Sequence, residues 1–291
     1  MRSMSRDTWA VILAAGEGRR IQAFTRDDQG VAVPKQYCSF GRETCMLEWA
    51  LARAHRVVSP SRTLAVVAAE HRAHFEAVVE RTGLEAIAQP RNRGTAAGIL
   101  LPLLHVLERQ PDAVVLVLPS DHDVRHESFL ERALETALAA AREDERLVLL
   151  GMTPEGPDTD YGWIVPEPGA KEPGRVLRFA EKPSAPEARR LHESGALWNS
   201  FIMAGRARTF VRLLGRALPG LLRDLRAAFA RGERALAVAY ETLVARDFSR
   251  DVLTGSPERL RVLRVPECGW SDLGTPARLE RFLGAPSRAI A

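Results

Sequence analysis

Residues 9–37, WAVILAAGEGRRIQAFTRDDQGVAVPKQY, decide the fold of this chain. They begin with a short apolar run, Ala10–Ala15, which is rich in β-branched residues, closed by Gly16 and typical of a buried strand. Gly18 follows two residues later. A strand that runs into a glycine-rich turn brings backbone N–H groups together, and the missing Cβ atoms let a phosphate approach them. The pattern therefore favours phosphate binding and a plain tight turn about equally.

The basic residues beside this turn bear on whether it binds phosphate or is a plain tight turn. Arg19 and Arg20 offer planar, permanently charged groups for phosphate oxygens, and Lys35 comes fifteen residues after Arg20. The turn lacks the third glycine of a dinucleotide-binding fingerprint, and no Gly-Lys-Ser/Thr follows it as in a Walker A loop. Only three of the 41 basic residues are lysines, so a retained lysine indicates that a compact charge is needed.

Composition narrows the class of protein. A chain of 291 residues with 46% apolar content suits one large α/β domain or two small ones. Three cysteines without CxxC spacing imply neither a disulfide framework nor a zinc site, and they fit a reducing cytoplasm. The net charge is +4, but no basic run or interleaved aromatic residues point to nucleic acid. The apolar run at 9–15 is too short for a signal peptide or a membrane span.

Strand and helix patterns alternate along the chain, which predicts a parallel sheet with helices on its faces and ligands at the carboxyl ends of the strands. The predicted strands after the first are 64–69, 85–88, 113–118, 147–151, 161–165, 176–181 and 260–265. The predicted helices are 43–57, 71–81, 95–108, 129–142, a capping-box helix from Ser184 to Glu193, 210–231 with a break at Pro219, 236–244 and 276–283.

Two polar motifs follow predicted strands in the first half. QPRNRGTA, residues 89–96, opens a helix, and its residues alone favour an ordinary turn capped by Thr95 over an anion-binding corner. PSDHD, residues 119–123, ends a buried strand; Asp123 could cap the next helix, whereas Asp121 is well placed to hold Mg²⁺. His122 is expected to be structural, or to lie near a bound base, rather than to be a metal ligand, because Mg²⁺ prefers oxygen ligands.

Four motifs follow in the second half, and each also has a plain structural interpretation. TDYGWI (159–164) could be a strand with a bulge, and the Glu181–Lys182 pair could be a surface ion pair of little energetic value. WNSFI (198–202) and DFSRDVL (247–253) are polar interruptions of apolar sequence. In CGWSDLGT (268–275), Asp272 could be an ordinary turn residue.

Taken together and in this order, the motifs resemble those of the sugar-1-phosphate nucleotidyltransferases, over 11–274. The segment 89–96 is similar to the motif of the mannose-1-phosphate guanylyltransferases. The resemblance implies a doubly wound, Rossmann-like α/β fold of the nucleotide-diphospho-sugar transferase type, with a mixed, mostly parallel sheet. It implies one domain over 1–291, with a sugar-binding subregion at about 153–255 and no C-terminal β-helix or isomerase domain.

The resemblance also implies a role for each matching residue. Catalytic charges are expected at Arg20, Lys35 and Lys182. Nucleotide contacts are expected at Ala14, Ala15, Gly16, Gly18, Gln89, Asn92, Gly94, Thr95 and Ser120. Sugar contacts are expected at Gly162, Glu181, Asn199 and Asp251, and Mg²⁺ ligands at Asp121 and Asp272. The segment 22–34 is expected to be a mobile flap over the triphosphate.

The activity implied is guanylyl transfer from GTP to mannose 1-phosphate, which forms GDP-mannose and pyrophosphate with Mg²⁺ as cofactor. Phe201, where the family commonly has glycine, and Arg250 leave open another sugar 1-phosphate, such as a heptose, or another nucleotide. A non-catalytic sensor of sugar nucleotides is the alternative of a different class. The expected partners are GTP and a sugar 1-phosphate, and neither nucleic acid nor a membrane is expected. The expected location is the cytoplasm, and a homodimer is possible.

Overall fold

A computed structural model of the protein describes residues 7–284, and its elements alternate as the sequence predicts. The strands are β1 (Thr8–Ala14), β2 (Thr63–Ala68), β3 (Glu85–Gln89), β4 (Val114–Pro119), β5 (Leu147–Met152), β6 (Gly162–Pro166), β7 (Gly174–Glu181), β8 (Leu197–Arg206) and β9 (Leu260–Arg264). The α-helices are α1 (Met46–His55), α2 (Arg72–Thr82), α3 (Gly94–Arg109), α4 (Glu127–Glu143), α5 (Ala185–Glu193), α6 (Ala207–Ala217), α7 (Pro219–Ala230), α8 (Glu233–Thr242) and α9 (Pro276–Leu283).

One mixed sheet runs through the described residues in the order β3-β2-β1-β4-β8-β5-β9-β7-β6. The pairs β1–β2, β2–β3, β1–β4 and β5–β9 are parallel. β8 is antiparallel to both β4 and β5, and β7 is antiparallel to β9 and β6. Only β7 and β8 therefore run against the common strand direction, which confirms the mostly parallel sheet.

Both faces of the sheet are covered, because alternate residues of the central strands enter two different cores. Ile12 and Leu116 pack with residues of α1, α2 and α4. Val11 and Val115 face the other way and pack with α3, α6 and α7. All four side chains are completely buried, and each contributes roughly 1.5–3 kcal/mol to folding. The doubly wound fold is thus confirmed; the division into one domain with a sugar-binding subregion stays a prediction.

At three places the local structure differs from what the sequence indicates: one strand was not predicted, one predicted capping box is absent, and one possible helix cap does not form. β8 has no counterpart among the predicted strands, because Asn199 and Ser200 interrupt its apolar pattern and its pairing with β5 is irregular between Leu149 and Gly151. The capping box at α5 is wrong, since the Ser184 side chain makes no cap and Glu187 pairs with Arg178. Asp123 does not cap a helix either; α4 begins at Glu127, and Asp123 pairs with Arg42.

The common strand direction brings the motif-bearing segments to one edge of the sheet. Leu13 of β1 is paired with Pro119 of β4, so the glycine-rich turn and the aspartate motif emerge side by side. β8 enters this edge with its amino end, where Asn199 is paired with Gly151 of β5. Within residues 7–284, no helix combines the length and the apolar character needed to cross a membrane.

Candidate active site

The glycine-rich turn after β1 is open to solution and packs against the lysine segment. Gly18 has φ 60°, in the left-handed region, and starts the 3₁₀ helix Arg19–Phe24. A Cβ on Gly18 would lie 3.2 Å from Cβ of Lys35, whereas nothing lies within 4 Å of the corresponding position on Gly16. Gly18 therefore permits close approach of the lysine segment, and the backbone at Gly16 is accessible to a ligand.

A second 3₁₀ helix, Lys35–Tyr37, fixes the position of Lys35. The amide of Gln36 donates to the carbonyl oxygens of Ala14 and Gly16, at 2.8 and 3.0 Å. The Lys35 side chain is only 3% exposed; its ammonium contacts Oδ2 of Asp121 at 3.1 Å and also the main-chain oxygen of Asp272. One buried cation thus joins the two aspartate motifs, which are separated by about half the chain.

A lateral link holds those two motifs in register. Asp123 and Ser271 exchange backbone hydrogen bonds of 2.9 and 3.0 Å. Next to this link, the indole N–H of Trp270 donates to Nδ1 of His122 at 3.1 Å. Burial lowers the pKa of His122 to about 4, so the ring is neutral near pH 7 and able to accept this bond. The expected structural role of His122 agrees with this contact.

Asp272 is surrounded by donors. Its Oδ1 accepts hydrogen bonds from the Tyr161 hydroxyl at 3.0 Å, from the Gly274 backbone at 3.0 Å and from Arg278 at 2.9 Å. Burial raises the pKa of the Asp272 carboxyl, but the opposing effects, led by Arg278 and Lys35 and including the Gly274 hydrogen bond, leave the net pKa below its usual value. Asp272 is therefore ionised at neutral pH.

The aspartate pair offers the oxygen ligands that hard divalent cations bind. Within the described residues, no group of three or more His, Cys, Asp or Glu side chains is arranged to hold a metal. Mg²⁺ needs no such group, because it is commonly held by one or two carboxylates with phosphate and water oxygens as the remaining ligands. Asp121 and Asp272, both in contact with Lys35, could be such carboxylates, and their binding of Mg²⁺ stays a prediction.

Arg20 is held toward the sugar-side loop. Its guanidinium pairs with Oδ2 of Asp160 at 2.9 Å, and both side chains are well exposed. The turn and the TDYGWI motif therefore meet across the site. Lys182 is less closely tied to the cluster: its side chain is exposed, and its backbone N–H donates to the Tyr161 carbonyl at 3.2 Å.

The predicted nucleotide corner is built largely from internal contacts. Oδ1 of Asn92 accepts from the Gly94 N–H at 3.0 Å, and Gly94 has φ 79° with its missing Cβ against the backbone of Arg246. The Thr95 hydroxyl accepts from the Phe248 N–H at 2.7 Å, so Thr95 ties α3 to the segment 247–253.

Two further residues of that prediction are buried. Gln89 is 2% exposed and accepts from the Tyr240 hydroxyl at 3.2 Å. Ser120 is also 2% exposed and donates to the Leu13 carbonyl at 2.7 Å. The Gln89 side chain is therefore buried against α8 and that of Ser120 against β1, and direct contact with a nucleotide stays a prediction for both.

The predicted sugar residues do meet. A Cβ on Gly162 would lie 2.7 Å from Oε2 of Glu181 and 3.3 Å from Cβ of Asn199, so these three positions are in contact. Burial, and next the nearby Asp247, raise the pKa of Glu181 to about 7, while Lys182 and Arg250 oppose that rise. Glu181 can thus be protonated or ionised near neutral pH.

Asp251 occupies a different place. Its Oδ2 accepts from the backbone N–H of Asp247 at 2.9 Å, which stabilises the start of the π-helical turn Ser249–Leu253. Ser249 is the residue of that turn near Asn199, with 3.5 Å between Oγ and Nδ2. The structure therefore gives the Asp251 carboxylate a local capping contact, and its part in binding a sugar stays a prediction.

Backbone strain concentrates in the same motifs. Lys182, Phe201 and Leu273 have φ of 46°, 59° and 46°, values that residues with a Cβ rarely adopt. Such residues cost of order 1–3 kcal/mol each and cluster at functional sites. Phe201 stands where the resembled family commonly has glycine, the residue that adopts a left-handed φ without strain, and here the same conformation carries a phenyl ring.

Several residues of the site lack any signal in the sequence. Gln36 belongs to a matched motif that implies no role for it, and only the fold shows that it joins two loops. Asp247 lies in the segment 247–253 without being assigned a role there, and Asp158 and Arg278 lie outside the motifs, as ordinary charged residues in a sequence rich in them. Their contacts arise from the tertiary arrangement alone.

Comparisons with known proteins agree with this geometry. Residues 9–283 match the family described as "Nucleotidyl transferase". The xanthan biosynthesis protein XanB of Xanthomonas campestris is 29% identical over 287 residues, covering 92% of this chain and 58% of XanB. The mannose-1-phosphate guanylyltransferase of Escherichia coli is 29% identical over 226 residues, covering 75% of this chain and 47% of that protein. This chain thus spans less than two thirds of the length of these two relatives.

A solved structure shows the same fold. The crystal structure described as a mannose-1-phosphate geranyltransferase from Thermus thermophilus superimposes with a TM-score of 0.84 at 31% identity. The match covers 96% of this chain and 80% of that one.

Proposed function

Because the chain belongs to the nucleotidyl transferase family, we propose that it transfers the guanylyl group of GTP to mannose 1-phosphate and forms GDP-mannose and pyrophosphate. The observation that carries this proposal is the position of Lys35, whose buried ammonium contacts both aspartate motifs beside an open glycine-rich turn. A site of this kind concentrates positive charge and carboxylate ligands where a polyphosphate can enter. The Escherichia coli relative's name supports the choice of substrates.

The proposed chemistry requires alignment and charge neutralisation more than covalent help. An oxygen of the sugar phosphate attacks the α-phosphorus in line, the bond from the α-phosphorus to the bridging oxygen breaks, and pyrophosphate leaves. The attacking phosphate is already ionised at neutral pH, so a general base is unnecessary.

Each charged residue has a role in this proposal. Arg20 binds the leaving pyrophosphate, with backbone N–H groups near Gly16 and Gly18. Lys35 neutralises charge on the α-phosphate, and Lys182 orients the sugar phosphate. Asp121 and Asp272 would hold Mg²⁺, and the ion would supply further neutralisation of phosphate charge.

The sugar side of the proposal rests on Gly162, Glu181 and Asn199, which converge. The Glu181 carboxylate accepts hydrogen bonds from sugar hydroxyls, and the absence of a side chain at Gly162 leaves room for this carboxylate. Phe201 is the reason to consider a second substrate, because it places a ring where the resembled family commonly has glycine and no side chain. Another sugar 1-phosphate, such as a heptose 1-phosphate, is therefore the competing substrate.

The test is pyrophosphate release with Mg²⁺ over a grid of four nucleoside triphosphates against the 1-phosphates of mannose, glucose, fucose and heptose. The proposal predicts one strong signal, at GTP with mannose 1-phosphate. A strong signal elsewhere would keep the chemistry and replace the substrate. Silence at every position, with GDP-mannose still bound in calorimetry, would identify a sensor and contradict the proposed activity. The homodimer, the cytoplasmic location and the flap at 22–34 stay predictions.

A further inference from the structure

Arg278, in the first turn of α9, is a part of the site to which no motif assigns a role. One nitrogen of its guanidinium donates to Oδ1 of Asp272 at 2.9 Å, and another pairs with Asp158. The guanidinium carbon lies 4.3 Å from the centre of the Tyr161 ring, and the side chain is only 11% exposed. Two carboxylates and an aromatic face hold this planar group in one orientation.

The arrangement makes the two oxygens of Asp272 unequal. Arg278, the Tyr161 hydroxyl and the Gly274 N–H all donate to Oδ1. Among residues 7–284, every hydrogen bond to this carboxylate converges on Oδ1, so Oδ2 is the oxygen that remains for a ligand. A Cβ on Gly274 would lie 2.6 Å from Oδ2, so the glycine also keeps that oxygen uncovered.

We propose that Arg278 is a positioning residue that presents Asp272 to a divalent cation through Oδ2 alone, and so favours Mg²⁺ over Ca²⁺. This inference rests on the proposed role of Asp272 as a metal ligand. Mg²⁺ takes six ligands at about 2.0–2.1 Å in near-ideal octahedral geometry, whereas Ca²⁺ takes six to eight and often uses both oxygens of a carboxylate. Because three donors already bond to Oδ1, that oxygen is not free to bind the cation together with Oδ2. The carboxylate is therefore left to bind the cation in a monodentate way.

Substitution of Arg278 by Met tests this inference, because Met retains an apolar stem over Tyr161 and removes the donor. Mn²⁺ binding is followed by electron paramagnetic resonance in the presence of GTP without sugar phosphate, so that no turnover occurs. Displacement by Mg²⁺ and by Ca²⁺ then gives the ratio of their affinities. Loss of a group that orients a ligand changes metal affinity by about 10–100-fold, and we expect the ratio to move toward Ca²⁺ by about tenfold.

Arg281→Met is the matched control. Arg281 lies on the same helix and pairs with Glu155 at 3.0 Å, but both side chains are about two-thirds exposed or more. Its removal changes the charge equally and leaves Asp272 untouched, so the wild-type ratio is expected. If Arg278→Met does not fold, Arg278→Lys keeps the charge without the planar fork and should move the ratio in the same direction.

The outcomes separate this inference from the proposed function. Mn²⁺ binding by the wild type with an unchanged Mg²⁺/Ca²⁺ ratio in the Arg278 variants overturns the inference alone. An equal loss of affinity for both ions also overturns it, because that result indicates a general structural role. No Mn²⁺ binding by the wild type removes the metal role of Asp272, and with it both that part of the proposed function and this inference.

Discussion

Gly162→Ala tests the sugar corner most sharply, because the added methyl group has an identifiable target. The new Cβ would lie 2.7 Å from Oε2 of Glu181, 3.0 Å from Cζ of Phe179 and 3.3 Å from Cβ of Asn199. Ordinary contact begins at 3.4 Å. The Glu181 carboxylate and the Asn199 side chain must therefore move away from the position in which the proposal has them bind a sugar.

The size of the effect follows from what is displaced. A hydrogen bond to a charged group contributes about 1.5–3 kcal/mol, and each 1.36 kcal/mol is about tenfold in rate. We therefore expect kcat/KM for the sugar 1-phosphate to fall by about 10–100-fold. Overpacking should also cost about 1–3 kcal/mol of stability, so activity is measured well below the midpoint of thermal unfolding.

The control has a similar steric cost at the other end of β8. A Cβ on Gly205 would meet the side chains of Leu147 and Phe210 in the core. Gly205→Ala should lower the melting temperature and leave the KM for the sugar phosphate unchanged. The sugar-binding role of this corner is contradicted if Gly162→Ala raises that KM no more than Gly205→Ala does, or if it raises the KM for GTP equally.

Three further predictions concern charges of the site. Lys35→Met should lower kcat by about 100–1,000-fold, as loss of one preorganised donor does; a kcat within about tenfold of wild type in steady-state assays would contradict the central role of Lys35. Asp160→Asn should lower the KM for GTP by at most about fivefold, because an exposed pair with Arg20 contributes about 1 kcal/mol or less; a raised KM would show that Asp160 assists nucleotide binding. The pKa of Glu181 is raised to about 7 in the folded protein, which therefore binds more protons than the unfolded chain between pH 4.5 and 7. As pH rises through this interval, the free energy of unfolding of the wild type should fall relative to that of Glu181→Gln by on the order of 2 kcal/mol. The same difference between the two proteins at pH 5 and at pH 8 would contradict this prediction.

The parts of the fold that the sequence could predict are those set by local pattern. β1 and β4 are continuous apolar runs closed by glycine or proline, and the structure places both in the centre of the sheet. Thr275 and Pro276 mark the start of α9, and the Thr275 hydroxyl accepts from the Arg278 N–H at 3.4 Å as a cap should. Such signals involve neighbours within one turn, which are visible without a fold.

The remaining parts depend on contacts between distant segments. β8 is central in the sheet, yet its pattern is broken by Asn199 and Ser200, because its amino end serves the site rather than the core. Arg278 is likewise one of many arginines until α9 brings it to Asp272. Matched motifs located Lys35, Asp121 and Asp272, but the contacts that the buried Lys35 ammonium makes with both aspartates became evident only in the structure.

The most direct test of the central claim is the stoichiometry of the reaction, measured by ³¹P nuclear magnetic resonance with GTP, mannose 1-phosphate and Mg²⁺. We expect one pyrophosphate for each GDP-mannose formed, and we expect Asp272→Asn, with an unchanged melting profile, to lose both products together. Pyrophosphate without GDP-mannose, or an Asp272→Asn variant that forms both at the wild-type rate, would contradict guanylyl transfer at this site.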